Sequence, residues 1–328
     1  MVAPVSLLET TPSAHTERQP LLESRQPAPD EYVYLLGRPT LRQFHRFMKD
    51  RSARDETFDL GALTDEWRAA SEHLQTLQKD EAGIADHPPL GVLDSRLEPL
   101  RDELLKDPLI VNGFNTVPTN IAMVELDRMV VYQKHIDLAH VRYLKNKLGP
   151  APGPEEIFRA CLPFDHPQPP IQWSRARPDT FVFMSPSNDL RFLGAMRLQA
   201  GQITDYPPPG TLAGVVGLAV GFGSNFLNAL YVEHRLILNN GSHRAFALRE
   251  LGVTHAPCIV QLVSSREELD VVAPVKVRER PDYYLRHPRP ALLKDYFNPR
   301  LRKIVPVHRR LRQVTVKFEV DEVYVPAV

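Results

Sequence analysis

Apolar residues recur at helical spacing in the first third of the chain. Leu41 and Phe44 begin one such stripe, and Thr40 stands directly before it as a candidate N-cap. A second stripe follows Thr64 and Asp65, either of which is a candidate cap. These stripes are typical of surfaces through which helices pack. The helices predicted here cover residues 40–48, 64–77 and 97–105.

After residue 118 the pattern changes to short apolar runs separated by turn residues. Such runs, four to eight residues long and bounded by Gly, Pro, Asn or Ser, are typical of strands. Two of them, 226–232 and 235–238, are separated only by Glu233 and His234, which predicts a hairpin. The other predicted elements are a strand over 129–132, a helix over 138–148, a strand from Pro169 to Trp173 with a partner at 181–184, a strand over 256–263 and an alternating strand within 314–320.

This order of elements predicts an α+β protein in four segments. Residues 1–30 are rich in Pro, Ser, Thr, Glu and Gln, and we expect them to be disordered. The last segment is basic and is expected to pack back on the core. The segments are a disordered tail (1–30), a helical N-terminal region (31–118), an α+β domain (119–265) and a C-terminal extension (266–328).

Composition excludes several classes of protein. The formal net charge is zero, but residues 276–317 hold 13 basic and 3 acidic side chains. Only that stretch could attract an anionic polymer. The two cysteines, Cys161 and Cys258, suit a reducing compartment and imply neither a disulfide framework nor a zinc site. We find no export signal. Because glycines interrupt the apolar run 211–232, we expect strands there, and therefore a cytoplasmic protein without a membrane partner.

The polar turn Asn239–Arg244 carries the candidate chemistry. It joins an apolar strand to a short helix that ends at Gly252, and the first N–H groups of a helix lack partners and attract anions. Gly241 would let the backbone approach an anion closely, and Arg244 adds a forked cation suited to phosphate. His243 could orient a phosphate or relay a proton.

Each of these residues also has a structural interpretation. Ser242 could cap the helix through its hydroxyl instead of binding phosphate. His243 could be an ordinary hydrogen-bonding residue of the turn. Arg244 could form a salt bridge to Glu250 or another acid. The turn as a whole could be a well-capped connection in an unrelated α/β domain.

The residues Asn240-Gly-Ser-His-Arg244, between a strand and a short helix, resemble the signature of the ParB/sulfiredoxin superfamily. The similarity extends over residues 124–265 and implies a mixed-sheet core that binds a nucleotide or phosphate at the loop. Ser242 stands where sulfiredoxin has its reactive cysteine, and Asn240 stands where the serine kinases have an aspartate. By the same resemblance, Asp137 is the candidate acid, although it could equally cap the helix that follows it.

The resemblance implies a bacterial-type nucleotide- or phosphate-binding protein, in which Asn240, Gly241, Ser242 and Arg244 hold the phosphate. As an enzyme it would be a phosphotransferase or phosphohydrolase, with His243 or Asp137 assisting proton transfer. ATP, ADP or CTP is the expected cofactor, with Mg²⁺ as a candidate ion. Two alternatives remain open. One is a nuclease-like or nucleic-acid-binding protein that uses the basic extension with its tyrosines, and the other is a non-catalytic nucleotide-binding adaptor.

Overall fold

A computed structural model describes residues 30–52, 59–199 and 210–326. Within them helices and mixed sheets occur together, so the protein belongs to the α+β class. The expected disordered tail, apart from Asp30, lies outside the described residues. No helix of the described part of the chain is long and apolar enough to cross a membrane. The apolar run 211–232 instead contributes strands, as its glycines predicted.

The N-terminal region begins with a strand that the pattern did not predict, β1 (Asp30–Leu35). Helix α1 (Leu41–Arg51) begins at Thr40, whose side chain forms a capping box with Gln43, as predicted. Helix α2 (Leu60–Asp80) begins four residues earlier than expected, so neither Thr64 nor Asp65 caps it. Asp59 does, because its carboxylate accepts the amides of Gly61 and Ala62 at 2.8 and 3.1 Å.

Short elements connect this region to the central sheet. The third predicted helix is present as α3 (Glu98–Leu104) after a 3-10 turn, and α4 (Pro108–Gly113) follows it. Strands β2 (Leu90–Gly91) and β3 (Thr119–Glu125) pair with each other in an antiparallel manner. They form one edge of the sheet that carries the candidate loop.

The central sheet has five strands in the order β10-β9-β11-β3-β2. The predicted hairpin is confirmed as β9 (Asn228–Val232) and β10 (Arg235–Asn240). Its two turn residues, Glu233 and His234, have φ of 44° and 66°, as in a type I′ turn. β11 (His255–Leu262) runs parallel to β9 and antiparallel to β3, which makes the sheet mixed. A parallel pair needs a crossover, and the connection from β10 to β11 contains α7 (Ser242–Glu250).

Helix α7 is the most buried helix among the described residues. Ala245, Phe246, Ala247 and Leu248 are all fully buried, and because four consecutive residues complete a turn, the middle of the helix is enclosed on every side. Helices α5 (Leu138–Leu148) and α6 (Pro154–Cys161) pack against it. This packing holds the start of α7, and with it the candidate loop, in one orientation.

The segment 129–132, predicted as a strand, forms only isolated bridges. Val130 donates its amide to Leu236 O at 2.8 Å and accepts from Leu238 N at 2.9 Å, while the amide of Val131 bonds to Ala291 O. Residues 129–132 are therefore extended, and they lie between β10 on one side and the segment around Leu292 on the other. Three residues farther along, β4 (His135–Asp137) joins β1 and β12 (Arg302–Val307) in a separate three-stranded sheet.

The strand predicted after the prolines near residue 170 belongs to another sheet. β5 (Gln172–Arg177) and β6 (Thr180–Ser185) form the predicted hairpin, and β13 (Arg312–Lys317) pairs with β6. The resemblance has such a strand in the chain upstream of the loop. Here it shares no ladder with the five-stranded sheet. A further two-stranded ribbon consists of β7 (Leu190–Leu198) and β8 (Val215–Phe222).

The last segment combines short helices with a strand that pairs with β1. It contains α8 (Arg266–Val272), α9 (Val275–Glu279) and α10 (Pro281–Leu285), and its strand β12 pairs along the whole of β1. Between them lies Arg289, which is 1% exposed. Its guanidinium binds Asp295 at 2.6 Å and Glu81 at 2.8 Å, so it joins this segment to the end of α2.

Replacing Arg289 should be among the most destabilising single polar changes. Arg289→Gln would leave the equally buried Asp295 carboxylate with only the more distant Arg38, at 3.8 Å, as a counter-charge, and breaking a buried pair in this way costs about 3–5 kcal/mol of unfolding free energy. Urea denaturation measures the loss, and Arg68→Gln, which removes an exposed ion pair to Asp65, is the matched control. Equal effects of the two substitutions would contradict this assignment.

Candidate functional site

The loop between β10 and α7 turns through a glycine that no other residue could replace without strain. Gly241 is the N-cap of α7 and has φ of 91°, in the left-handed region. A Cβ atom at this position would lie 2.8 Å from Leu227 Cδ1 and 3.1 Å from Leu227 Cα. The side chain and the backbone of Leu227 therefore press directly on the loop, and only glycine fits the space.

Asn240 ties the loop to the segment 223–228, called here the glycine-side segment. Its Nδ2 donates to Ser224 O at 2.6 Å, and its Oδ1 accepts the amide of Gly241 at 2.8 Å. An aspartate could accept the second hydrogen bond but could not donate the first. The amide that replaces the aspartate of the kinase pattern thus has a structural role in this chain.

The first turn of α7 offers free hydrogen-bond donors. Ser242 is the first helical residue and not the N-cap, so the capping interpretation of its hydroxyl is wrong. The first hydrogen bond of the helix runs from Ala245 N to Gly241 O at 2.8 Å. The amides of residues 242–244 precede it and have no acceptor within the helix, and no side chain of the described residues accepts from them.

Arg244 is buried, and none of its partners among the described residues is an acid. Its side chain donates from Nη1 to Cys161 O at 3.3 Å and from Nη2 to Asn225 Oδ1 at 2.8 Å. Its Nε is buried without a hydrogen-bond partner. The alternative salt bridge to Glu250 is not formed, because that carboxylate binds Lys145 at 2.9 Å. Burial lowers the pKa of the Arg244 guanidinium, as expected for a cation away from water.

Two histidine rings meet beside this guanidinium. The rings of His243 and His140 lie edge to face with their centroids 5.3 Å apart. Desolvation, together with smaller effects of the neighbouring His140, His135 and Arg244, lowers the pKa of His243 to about 3. His243 is therefore neutral near pH 7 and cannot carry a proton there unless a bound anion raises its pKa.

Asp137 serves as a helix cap. Its Oδ1 accepts the amides of Ala139 and His140 at 2.8 and 3.3 Å, at the start of α5. The capping interpretation of this residue is therefore the one that the structure bears out. Burial lowers the pKa of His140, and the negative charge of Asp137 partly offsets that shift. The structure thus brings Asp137, His140, His243 and Arg244 into one neighbourhood, with the acid beside His140.

Four cations lie near this neighbourhood and are called here the basic rim. They are Arg51, Lys134, Lys276 and Arg280, and none of them forms an ion pair with a carboxylate of the described chain. Lys276 and Arg280 belong to the basic stretch that the composition indicated, whereas Arg51 and Lys134 come from distant elements that no local motif links to the loop. Asn225 was missed for the same reason. His140 could have been found, since it lies one helical turn after Asp137.

Contacts connect the basic rim to the loop. Lys276 Nζ lies 5.8 Å from the centre of the Tyr132 ring, and the Tyr132 hydroxyl donates to Asn239 O at 2.7 Å. Burial lowers the pKa of Lys134, and Lys276 and Arg280 lower it further. Like charges that affect one another's ionisation lie close together, so these cations form one positive surface.

The described residues offer no ready metal centre. No group of three or more His, Cys, Asp or Glu side chains within them could hold a metal ion. Cys161 and Cys258 are free and buried, and burial raises the pKa of Cys161 to about 12, so its thiol is not a nucleophile.

Gly241→Ala should destabilise the protein by about 1–3 kcal/mol, because it adds backbone strain and a clash with Leu227. The matched control is Gly252→Ala. Gly252 also has a positive φ, 82°, but a Cβ atom there meets no atom within 4 Å. Urea denaturation of both variants should show the larger loss at position 241. Equal losses would mean that Leu227 moves away at little cost.

Stability should fall as the pH falls from about 6.5 towards 3. The pKa of His243 is about 3 when folded and its usual value is 6.5, so between these values the unfolded chain binds more protons. His135 acts in the same direction, since burial lowers its pKa to about 4. His243→Gln should therefore weaken the pH dependence of the unfolding free energy, whereas His255→Gln on the exposed end of β11 should not. An unchanged slope in the first variant would contradict the burial of a neutral imidazole.

Comparison with known proteins adds no further observation. No family model matches the chain, and neither a curated protein nor a solved structure matches it. The similarity to the ParB/sulfiredoxin superfamily therefore depends on the residues of the loop and on their position between a strand and a short helix.

Proposed function

We propose that the loop Asn240–Arg244 binds a phosphate group, and that the ligand is a nucleotide or a phosphorylated small molecule. The observation that carries this proposal is the buried guanidinium of Arg244, which is 6% exposed and has no acidic partner among the described residues. A buried cation is costly unless an anion compensates it. An oxyanion at the start of α7 would supply that charge.

The donors at the loop suit an oxyanion. The Nη atoms of Arg244 donate to Cys161 O and Asn225 Oδ1, which fixes the plane of the guanidinium and leaves Nε–H and the second N–H of each Nη for a ligand. The free amides of residues 242–244 add further donors and the positive end of the helix dipole. Because Gly241 carries no Cβ, a phosphate could approach these amides closely.

The basic rim favours a ligand with more than one negative charge. Lys134 and Lys276 add positive potential beside the loop, and neither of them pairs with a carboxylate of the described residues. A single phosphate would leave most of that charge uncompensated, whereas the phosphates of ATP, ADP or CTP would not. A Mg²⁺ ion bound to such a nucleotide would reduce the charge that the protein must match.

Binding without chemistry is better supported than transfer of the phosphate. Asn240 cannot act as a base, because its amide donates to Ser224 O and its oxygen accepts from Gly241. Asp137 is occupied as a cap. His243 is the residue that could take a proton, since a bound anion would raise its low pKa. A non-catalytic nucleotide-binding adaptor is therefore the form of the proposal that the side chains favour, and a phosphotransferase or phosphohydrolase is the second.

Nucleic-acid binding through the basic extension has less support. Two of its tyrosines, Tyr284 and Tyr296, are buried and cannot stack on bases, and Tyr283 is half-buried. Several of its cations are used inside the protein, such as Arg289 with Glu81 and Lys303 with Glu66. These pairs are consistent with the extension offsetting acidic residues of the N-terminal region.

Phosphate-bearing ligands should raise the melting temperature of the protein, and Arg244→Gln should abolish most of that rise. At a ligand concentration about 100 times the dissociation constant, binding contributes about 2.7 kcal/mol of stability. Phosphate, pyrophosphate, ADP, ATP and CTP, each with and without Mg²⁺, would be compared by thermal shift. Turnover would be followed separately by release of phosphate.

The matched control is Arg249→Gln, on the same helix. Arg249 binds Asp127 at 2.8 Å and lies at the opposite end of α7 from the loop. This variant should keep the ligand response of the unmodified protein. If none of the ligands stabilises the protein, or if both arginine variants respond alike, the loop is not a phosphate site.

A further inference from the structure

The ribbon of β7 and β8 exposes a strand edge that lacks the usual protection. β8 pairs only with β7 among the described strands, so its outer N–H and C=O groups have no ladder partner. Its sequence, Val-Val-Gly-Leu-Ala-Val-Gly-Phe, contains no charge and no proline. Proteins normally place charged residues or proline on a free edge, because these residues prevent pairing with another chain.

The faces of the ribbon are also apolar and exposed. Phe192, Leu193 and Met196 of β7 are each about half exposed, and Val216 of β8 is 71% exposed. An isolated two-stranded ribbon is only marginally stable in water, because it buries too little apolar surface. Both the free edge and the apolar faces thus favour the addition of a further strand.

A second part of the chain has the complementary properties. Residues 318–326, called here the acidic segment, follow β13 and belong to no sheet. Val320, Val323, Tyr324 and Val325 in it are all largely exposed. Such valines and tyrosines are typical of strands.

The charges of the two parts are opposite. The acidic segment contains Glu319, Asp321 and Glu322 and no basic residue. The ribbon strands contain Arg191 and Arg197 and no acid. Arg191 pairs with Asp189 in its own chain, but Arg197 pairs with no described carboxylate. Arg197 lies opposite Val216 in the ladder, so its long side chain can reach across β8 to a strand on the free edge.

The acidic segment of the same chain begins at the end of β13 that is farther from the ribbon. The base of the ribbon lies near the beginning of β13, where Arg312 Nε donates to Leu190 O at 3.3 Å. The acidic segment leaves from the other end of β13, where Phe318 N bonds to Asp179 O and the Phe318 ring stacks on Phe181. Six strand residues separate these ends by about 20 Å. A second copy of the chain is therefore the better source of the added strand.

We infer that the acidic segment of one copy adds as a strand to the free edge of β8 in a second copy. Exchange in both directions makes the contact self-complementary, and two copies then close into a dimer. The added strand supplies hydrogen-bond partners to the outer edge of β8, its apolar residues cover part of the ribbon, and its carboxylates face Arg197.

Cysteine cross-linking tests the partner and its direction. Leu218→Cys on β8 and Val323→Cys in the acidic segment are made separately, and the native cysteines give no background because both are buried. Under oxidised glutathione, the mixture of the two variants should give a disulfide-linked dimer, and each variant alone should not. Val320→Cys and Val325→Cys repeat the test at neighbouring registers. A dimer of Leu218→Cys alone would mean that β8 pairs with β8 of the second copy. A disulfide within one chain of a variant that carries both Leu218→Cys and Val323→Cys would mean an intramolecular contact. Either result overturns the inference.

Light scattering on the unlinked protein gives the second readout. The unmodified chain should have the mass of two copies at about 100 µM, within the weak-to-moderate range expected for a small interface. Val323→Pro removes a ladder donor, and Val216→Glu places a negative charge beside the carboxylates of the acidic segment, so each should give a single-chain mass. Val92→Glu, at an exposed valine far from the ribbon in sequence, should leave the dimer intact. A single-chain mass for the unmodified protein would overturn the inference.

Discussion

A buried guanidinium with no acidic partner among the described residues is the constraint on which the structure of the candidate site depends. Arg244 lies in the first turn of α7, residues 245–248 after it are fully buried, and α5 and α6 pack against the helix. Glu250, at the other end of the helix, pairs with Lys145 instead. The guanidinium is held by a carbonyl and an amide oxygen, which orient it without neutralising it. Every proposal about the loop follows from this uncompensated charge.

The surroundings of the loop are arranged to keep that charge in place. Leu227 occupies the space that a side chain at position 241 would need, and Asn240 fastens the loop to Ser224. The same glycine-side segment supplies Asn225 to Arg244. The segment is in turn held by the bond from Leu227 N to Cys161 O at 2.8 Å, so one carbonyl contacts both the loop cation and the segment beside it. The neutral His243 lies beside this cation and adds no charge of its own.

Local signals predicted elements well wherever the responsible groups were close in sequence. The capping box of Thr40 needs only Gln43, and the hairpin of β9 and β10 needs only its two turn residues, so both predictions are confirmed. The start of α2 was missed because Asp59 competes with Thr64 as a cap, and the aspartate accepts two amides. β1 was missed because its partners, β4 and β12, lie about 100 and 270 residues away, where no local pattern reports on them.

By itself, the sequence determined the α+β class, the strand-loop-helix unit around Gly241 and the chemical type of its residues, because periodicity and turn chemistry act over a few positions. Only the tertiary structure decided what those residues do. Packing buried Arg244 and brought the ring of His243 against that of His140. It also brought the four cations of the basic rim together from distant elements. Burial and long-range charge depend on the whole fold, and no single stretch of the chain carries them.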